Sequence, residues 1–297
     1  MAPDVRIINL ETSVTRSEDY WQDKGINYRM HPKNIPCLTS AGIDCCVLAN
    51  NHVLDWGYAG LEETLQTLHG VRIKTAGAGG NDKEAKAPAV IAVRNKGRVV
   101  VVSMGVDSSG ISWGWAASAD RPGVNLLSDF SQSTIADISA QIWAVKRPGD
   151  IVVASIHWGG NWGYAISHQQ RRFAHALIDE AGVDIIHGHS SHHAKGIEVY
   201  KNKPVIYGCG DFINDYEGIG GYESYRDDLS LMYFIDMDPA AELLIKLQMV
   251  PLKIRQFSLH FASIQDVQWL KNTLHREGRQ FYTRVDINSD GRLALRW

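Results

Sequence analysis

Six side chains with the chemistry of metal or phosphate ligands, Glu11, Asn51, His52, His157, His189 and Asp211, each stand just after a short apolar run of β type. Open α/β sheets bind ligands outside the carboxyl ends of their strands, so six groups delivered to one rim are expected to converge. A carboxylate, an amide oxygen and several imidazoles form a ligand set for Zn, Mn or Fe with a hard-oxygen component. Four of the 12 histidines, His187, His189, His192 and His193, crowd into the run His-Gly-His-Ser-Ser-His-His. A lone histidine is more often a satisfied core or surface imidazole. This cluster follows a buried-type strand and is flanked by Gly188, Ser190 and Ser191, whose hydroxyls suit the orienting of an imidazole nitrogen. It reads as a metal or phosphate site.

The elements that must position these residues are legible as short apolar runs. Residues 5–10 read as a strand leading to Glu11, and residues 44–49 as one leading to Asn50, Asn51 and His52. Residues 151–156 lead to His157, residues 183–186 to His187-Gly188-His189, and residues 204–207 to Gly208-Cys209-Gly210-Asp211. Residues 99–104 and 230–235 look like further strands. Leu61, Thr64, Leu65 and Leu68 mark one helix face, and Phe173, Leu177 and Ile178 another, with Gly70 and Gly182 as stops. Alternating strands and helices predict an α/β fold. The Ser-, Gly- and Trp-rich residues 107–129 read as a long surface loop. No Pro/Ser linker divides the chain, so residues 1–250 are expected to form one domain, with residues 251–297 an appendage packed on it.

Composition narrows the function. The chain has 297 residues, enough for a large core, and a net charge of −3, which argues against broad binding to nucleic acid or an acidic membrane. Its hydrophobic content of 44% and charged content of 21% are those of a globular protein. Cys37, Cys45, Cys46 and Cys209 contain no C-x-x-C pair and read as buried free thiols. The opening Met-Ala-Pro-Asp-Val lacks a signal peptide's basic start and apolar core, and no apolar stretch reaches the ~20 residues of a membrane span. The chain as given therefore reads as cytoplasmic.

Other signals are weaker. Asp286-Ile-Asn288-Ser-Asp290-Gly291 opens like a calcium loop, but Trp297 occupies the place of the required carboxylate, so a hairpin turn is expected. The Gly-rich residues 76–81 lack the P-loop and dinucleotide patterns. Trp113, Trp115, Trp158 and Trp162 read as packing, with a stacking platform as the alternative. Ser108-Ser109 and Ser190-Ser191 lack the Gly-x-Ser-x-Gly elbow of a serine hydrolase.

Five motifs occur in order: Asn-Leu-Glu at 9–11 with Thr12 and Thr15, Ala-Asn-Asn-His-Val-Leu-Asp at 49–55, His-Trp-Gly at 157–159, the histidine run at 187–193, and Tyr-Gly-Cys-Gly-Asp-Phe at 207–212. Together they resemble the poly-gamma-glutamate capsule synthesis accessory proteins, the CapA-like branch of the calcineurin-like metallophosphoesterases, over about residues 4–215. The resemblance implies a metallophosphoesterase-like four-layer α/β/β/α sandwich with a two-metal centre on the strand-end rim. It implies Glu11 as bridging carboxylate, Asn51 as amide ligand, His157 as the mid-chain ligand, and His189 and His192 as the paired ligands of the last motif. His52 takes the place of a neighbouring acid or phosphate contact, and Asp55 a place from which to orient it.

The chain also departs from the family pattern. Many relatives show Gly-His-His-Pro-His where Ser190 and Ser191 stand here, and Asn where Asp211 stands, so His187 and Asp211 are additional candidates. Relatives begin with a strand carrying Gly-Asp, whose Asp is a ligand; here that first strand is missing, which implies one tight divalent ion, Mn, Zn or Fe, rather than two. The expected function is a metal-dependent hydrolase acting on a phosphoester or a gamma-glutamyl polymer in poly-gamma-glutamate synthesis. The alternative is a non-catalytic accessory protein that binds an anionic polymer on a degenerate scaffold. Many relatives are membrane-anchored and extracytoplasmic, which implies that address if a preceding segment carries a signal or anchor.

Overall fold

The computed structural model describes residues 2–214 and 220–297. It is a mixed α/β molecule with both parallel and antiparallel sheets. Strands β1 (Ile7–Asn9) and β2 (Cys45–Val47), helix α1 (Gly57–Gly70) and strand β3 (Lys74–Ala76) come first. The three strands form a parallel sheet in the order β1-β2-β3. Side chains alternate across a strand, so Cys45 and Val47 enter one core while Cys46 packs with Leu48, Leu61 and Leu68 on the α1 side. Helix α1 buries Leu61, Thr64 and Leu68, the face expected from their spacing.

The central segment supplies β4 (Ala89–Val93), β5 (Gly97–Val106), β6 (Leu126–Leu127), α2 (Gln132–Trp143), β7 (Ile151–His157), α3 (His168–Glu180), β8 (Ile185–His189), β9 (Ile197–Tyr200) and β10 (Lys203–Ile206). They make a seven-stranded sheet in the order β6-β5-β7-β8-β10-β9, with β4 on β5. The inner strands are parallel and apolar on both faces, as a covered parallel sheet requires. Val100, Val102, Val152, Ala154 and Ile156 meet Ile135, Ile138, Ile142, Phe173 and Leu177 of the two helices. Val101, Val153 and Ile185 face Cys45, Val47 and Ala76 instead. Helix α3 starts where Ser167 accepts from the Gln170 N–H and Gln170 returns the bond, a capping box.

The third sheet is antiparallel: β11 (Leu229–Asp238), β12 (Leu243–Arg255), β13 (Ser258–Phe261), helix α4 (Ile264–Gly278), β14 (Arg284–Ile287) and β15 (Leu293–Arg296). The order is β11-β12-β15-β14, with β13 on β12. Strand β12 runs through residue 250 and pairs with β15, so residues on both sides of that position share one sheet. The 286–291 segment is the turn of the β14–β15 hairpin, closed by Gly291 N–H to the Asn288 carbonyl.

Two local expectations are corrected. Residues 107–129 are not a surface loop: Ile111, Trp115 and Val124 are buried with Leu48 and Leu54, and Leu126–Leu127 joins the large sheet. These apolar residues follow neither a helical nor a strand period, so no local pattern announced their burial. His187 and His189 lie within β8 rather than after it, because pairing with β7 continues to His157↔His189.

Candidate functional site at the strand ends

The period of two that sends Val152, Ala154 and Ile156 to the helices turns Ser155 and His157 to the opposite face. Register then sets His187 beside Ser155 and His189 beside His157. Gly188 between them has no room for a side chain: a Cβ would stand 2.6 Å from the Ile206 and Tyr207 carbonyls. From the other sheet, Asn50 ties the turn after β2 to the end of β1. Its Nδ2 donates to Asn9 Oδ1 at 3.0 Å and to the Leu10 carbonyl at 2.9 Å, and its Oδ1 accepts from His52 N–H. Asn9 Nδ2 in turn donates to Glu11 Oε2 at 2.6 Å. In this way Glu11 meets His157.

His157 Nε2 stands 3.7 Å from Glu11 Oε1, too far for a hydrogen bond, and it is buried with no hydrogen-bond partner. Asn51 Oδ1 is likewise buried without a partner. A span of 3.7 Å is one that two ligand bonds of about 2.0–2.2 Å to a common ion subtend. Burial, then the charge of Asp211, raises the Glu11 carboxyl to about 7. Burial, then the nearby His52, lowers His157 to about 3. Neutral imidazole is the form that binds metal. The Glu11 carboxylate and the His157 imidazole thus stand at a span that suits a shared divalent ion, and the chemistry of the unpartnered Asn51 amide oxygen suits such a ligand set. Among the described residues, no group of three His, Cys, Asp or Glu side chains is arranged to hold an ion by itself.

The other candidates take different places. His189 Nδ1 is 2.7 Å from His157 Nδ1, and its Nε2 is 2.9 Å from Ser155 Oγ, so both ring nitrogens are engaged behind His157. His187 Nδ1 meets the same hydroxyl at 3.0 Å, and burial lowers this imidazole to about 4. His192 Nδ1 lies 3.1 Å from each Asp211 oxygen. Burial opposes the His192 charge, but the hydrogen bond and charge of Asp211 outweigh it and raise the imidazole. Ser190, between these groups, has a φ of 109°, a conformation L-residues rarely adopt, and its hydroxyl donates to the Gly159 carbonyl.

His52 and Asp55 form a pair, with Nδ1 2.6 Å from Asp55 Oδ2. Asp55 is fully buried and also accepts from the Tyr28 N–H at 2.6 Å. Burial lowers the His52 imidazole in spite of that carboxylate. The Tyr28 ring covers the imidazole at 4.3 Å between centroids. Sequence reading missed two members of the site. Ser155 carried a usable signal, two positions before His157 and so on the same face. Lys24, which contacts Asp55, His52 and Asn51, carried none.

Comparison with known proteins agrees with the motif order. The profile of the bacterial capsule synthesis protein PGA_cap family matches residues 1–216. A probable polyglutamine synthesis accessory protein of Mycobacterium tuberculosis is 49% identical over 295 residues, 99% of this chain and 77% of that protein. The PGA biosynthesis protein CapA of Bacillus subtilis is 32% identical over 229 residues, 76% of this chain and 56% of that protein. The capsule biosynthesis protein CapA of Bacillus anthracis is 30% identical over 236 residues, and the match spans 80% of this chain and 54% of that protein. The chain thus spans little more than half the length of the two Bacillus proteins. It belongs to the bacterial capsule synthesis protein PGA_cap family.

Proposed function

We propose that this chain serves poly-gamma-glutamate or capsule synthesis as an accessory protein, and that its strand-end rim is a metal-dependent hydrolytic site for a phosphoester or a gamma-glutamyl amide. The single observation that carries the reading is the buried, partnerless His157 Nε2 at 3.7 Å from Glu11 Oε1, with a second buried, partnerless acceptor, Asn51 Oδ1, on the turn after β2, the strand that pairs with β1. A buried polar atom without a partner costs about 1–3 kcal/mol, which a bound cation relieves. The succession of α2 and α3, the seven-stranded sheet, the three-stranded sheet and α1 supports a metallophosphoesterase-like sandwich as the scaffold.

Glu11, Asn51 and His157 would hold a divalent Mn, Zn or Fe ion, with His189 and Ser155 behind His157 setting its ring orientation. Such an ion supplies Lewis-acid polarisation of a phosphoryl or acyl oxygen and activation of water. The remaining steps belong to the protein. With its Nδ1 against the Asp55 carboxylate, the neutral His52 ring keeps its proton there and presents Nε2 as an acceptor. His52 then takes a proton at Nε2 and returns it to a leaving oxygen or nitrogen. His192, whose imidazole Asp211 favours in the protonated form against the effect of burial, is a second candidate donor.

A second reading, a polymer-binding accessory protein without turnover, is favoured by the absence of a three-residue His, Cys, Asp or Glu group among the described residues. Assays of a chromogenic phosphodiester and of gamma-glutamyl polymer, with Mn or Zn supplied, separate the two. The hydrolytic reading expects turnover that His52→Gln lowers by about 10²–10⁴-fold. Polymer binding that persists in excess chelator, with neither substrate consumed, would establish the second reading instead.

A further inference from the structure

Lys24 lies in the excursion between β1 and β2, in a run, Trp-Gln-Asp-Lys-Gly, that belongs to none of the five motifs. Its Nζ nevertheless donates to the Asn51 carbonyl and to Asp55 Oδ1, and lies 3.0 Å from His52 Nδ1. The ammonium also sits 5.1 Å from the centre of the Trp115 ring, over its face. Three distant segments therefore meet on one cation: the excursion, the turn after β2, and the buried Trp115 of the 113–115 turn.

The hydrogen-bond arithmetic fixes what this cation does. An ammonium only donates, and a carboxylate only accepts. The His52 Nδ1 approach to Asp55 Oδ2 at 2.6 Å thus requires the proton on Nδ1, so Nδ1 has no lone pair for Lys24. Lys24 is satisfied by Asp55 Oδ1 and the Asn51 carbonyl, and its contact with the imidazole is one of position. Asp55, fully buried, needs a cation close by. Lys24 supplies it without using the imidazole, which stays a neutral acceptor at Nε2. A lysine that instead acted on substrate would need its ammonium directed at the rim, and here both its acceptors lie within the protein.

We propose that Lys24 is a positioning residue: by joining the Asp55 carboxylate to the Asn51 carbonyl, it holds the His52 ring with Nδ1–H on Asp55 and Nε2 toward the rim. The inference rests on the reading of His52 as the proton-transfer group, but its test requires neither metal nor turnover. In ¹⁵N-labelled full-length protein with chelator present, the His52 Nδ1–H resonance is assigned by its absence in His52→Gln. A slowly exchanging lysine ammonium resonance with a cross-peak to the His52 ring is expected in the unaltered protein. Lys24→Met is expected to abolish the ammonium signal and to make the His52 Nδ1–H exchange at least about tenfold faster, as loss of a charged hydrogen bond permits. His69, remote from the site and bonded to Thr75 Oγ1, reports whether the fold is intact.

A lysine with only a structural role would lower the melting temperature of Lys24→Met while leaving the His52 signal and its protection unchanged, and that result overturns the proposal. If Lys24→Met does not fold, the unaltered protein decides: no protected lysine ammonium in contact with His52 means that the clamp does not exist. A confirmed clamp in a protein that neither binds metal nor turns over substrate would leave this inference standing and remove the hydrolytic reading alone.

Discussion

At the scale of single residues, Glu11 and His157 carry the account. A carboxyl whose folded pKa lies above its unfolded value holds protons that the unfolded chain has already released, so stability falls as pH rises through that interval. For Glu11 the interval runs from its ordinary 4.5 to about 7. Glu11→Gln is therefore expected to melt at a higher temperature than the unaltered protein at pH 8 in chelator, with the difference shrinking toward pH 4.5. Added Mn or Zn is expected to reverse the order, because only the carboxylate gains a ligand bond; thermal melts across pH with and without metal check both. His157→Ala should abolish tight metal retention, and His189→Ala should weaken it by about 10–100-fold as a supporting group behind the ligand. His175→Ala is the control, since that ring stacks on Tyr200 on the flank of α3. Elemental analysis of the three proteins after dialysis reads the result, and equal metal in all would remove His157 from the site. The strand-end places of Glu11, Asn51, His52 and His157 were legible because each follows an apolar run. The engagement of both His189 nitrogens was not, since it arises from the lateral register of β7 and β8.

At the scale of elements, the parallel strands and the faces of α1 and α3 were visible in the sequence because their apolar periods are strong and their ends carry Gly or Ser. The 107–129 segment was not, because Ile111, Trp115 and Val124 are buried by partners distant in sequence, and such burial leaves no local period. The start of β8 was legible as an apolar run, but the charge buried beside it was not. Asp184, just before it, is fully buried against Lys203 Nζ at 2.6 Å and Lys146 Nζ at 3.7 Å, and it accepts the Val152 N–H at 2.8 Å. These bonds tie β7, β8 and β10 together at the end opposite the site. Asp184→Ala orphans the Val152 N–H and takes the buried carboxylate from two lysines that keep Glu242, at 3.1 Å from Lys146 Nζ and 3.9 Å from Lys203 Nζ. It is expected to cost about 1–3 kcal/mol in urea unfolding, with residual metal affinity in the folded fraction unchanged. A loss below about 0.5 kcal/mol would mean that water replaces the carboxylate and that the strand starts are not held this way.

At the scale of the whole molecule, two sheets built from separate stretches of a PGA_cap-family chain bring a carboxylate and an imidazole to one place. No helix among the described residues is long and apolar enough to cross a membrane. The proposed site contains Glu11 and has Asp211 and Asp55 among its carboxylates, with Lys24 already committed to Asp55. An anionic polymer therefore finds no uncommitted lysine among these groups, and its approach to the rim is expected to depend on added divalent metal. Sedimentation of polymer with protein, with and without chelator, checks this. Calorimetric titration of metal-stripped protein with Mn or Zn, checked by elemental analysis, reads the proposed metal site directly. Glu11, Asn51 and His157 as one open site lead us to expect close to one tight equivalent per chain, lost in His157→Ala. No tight binding, or one that survives His157→Ala unchanged, would contradict it.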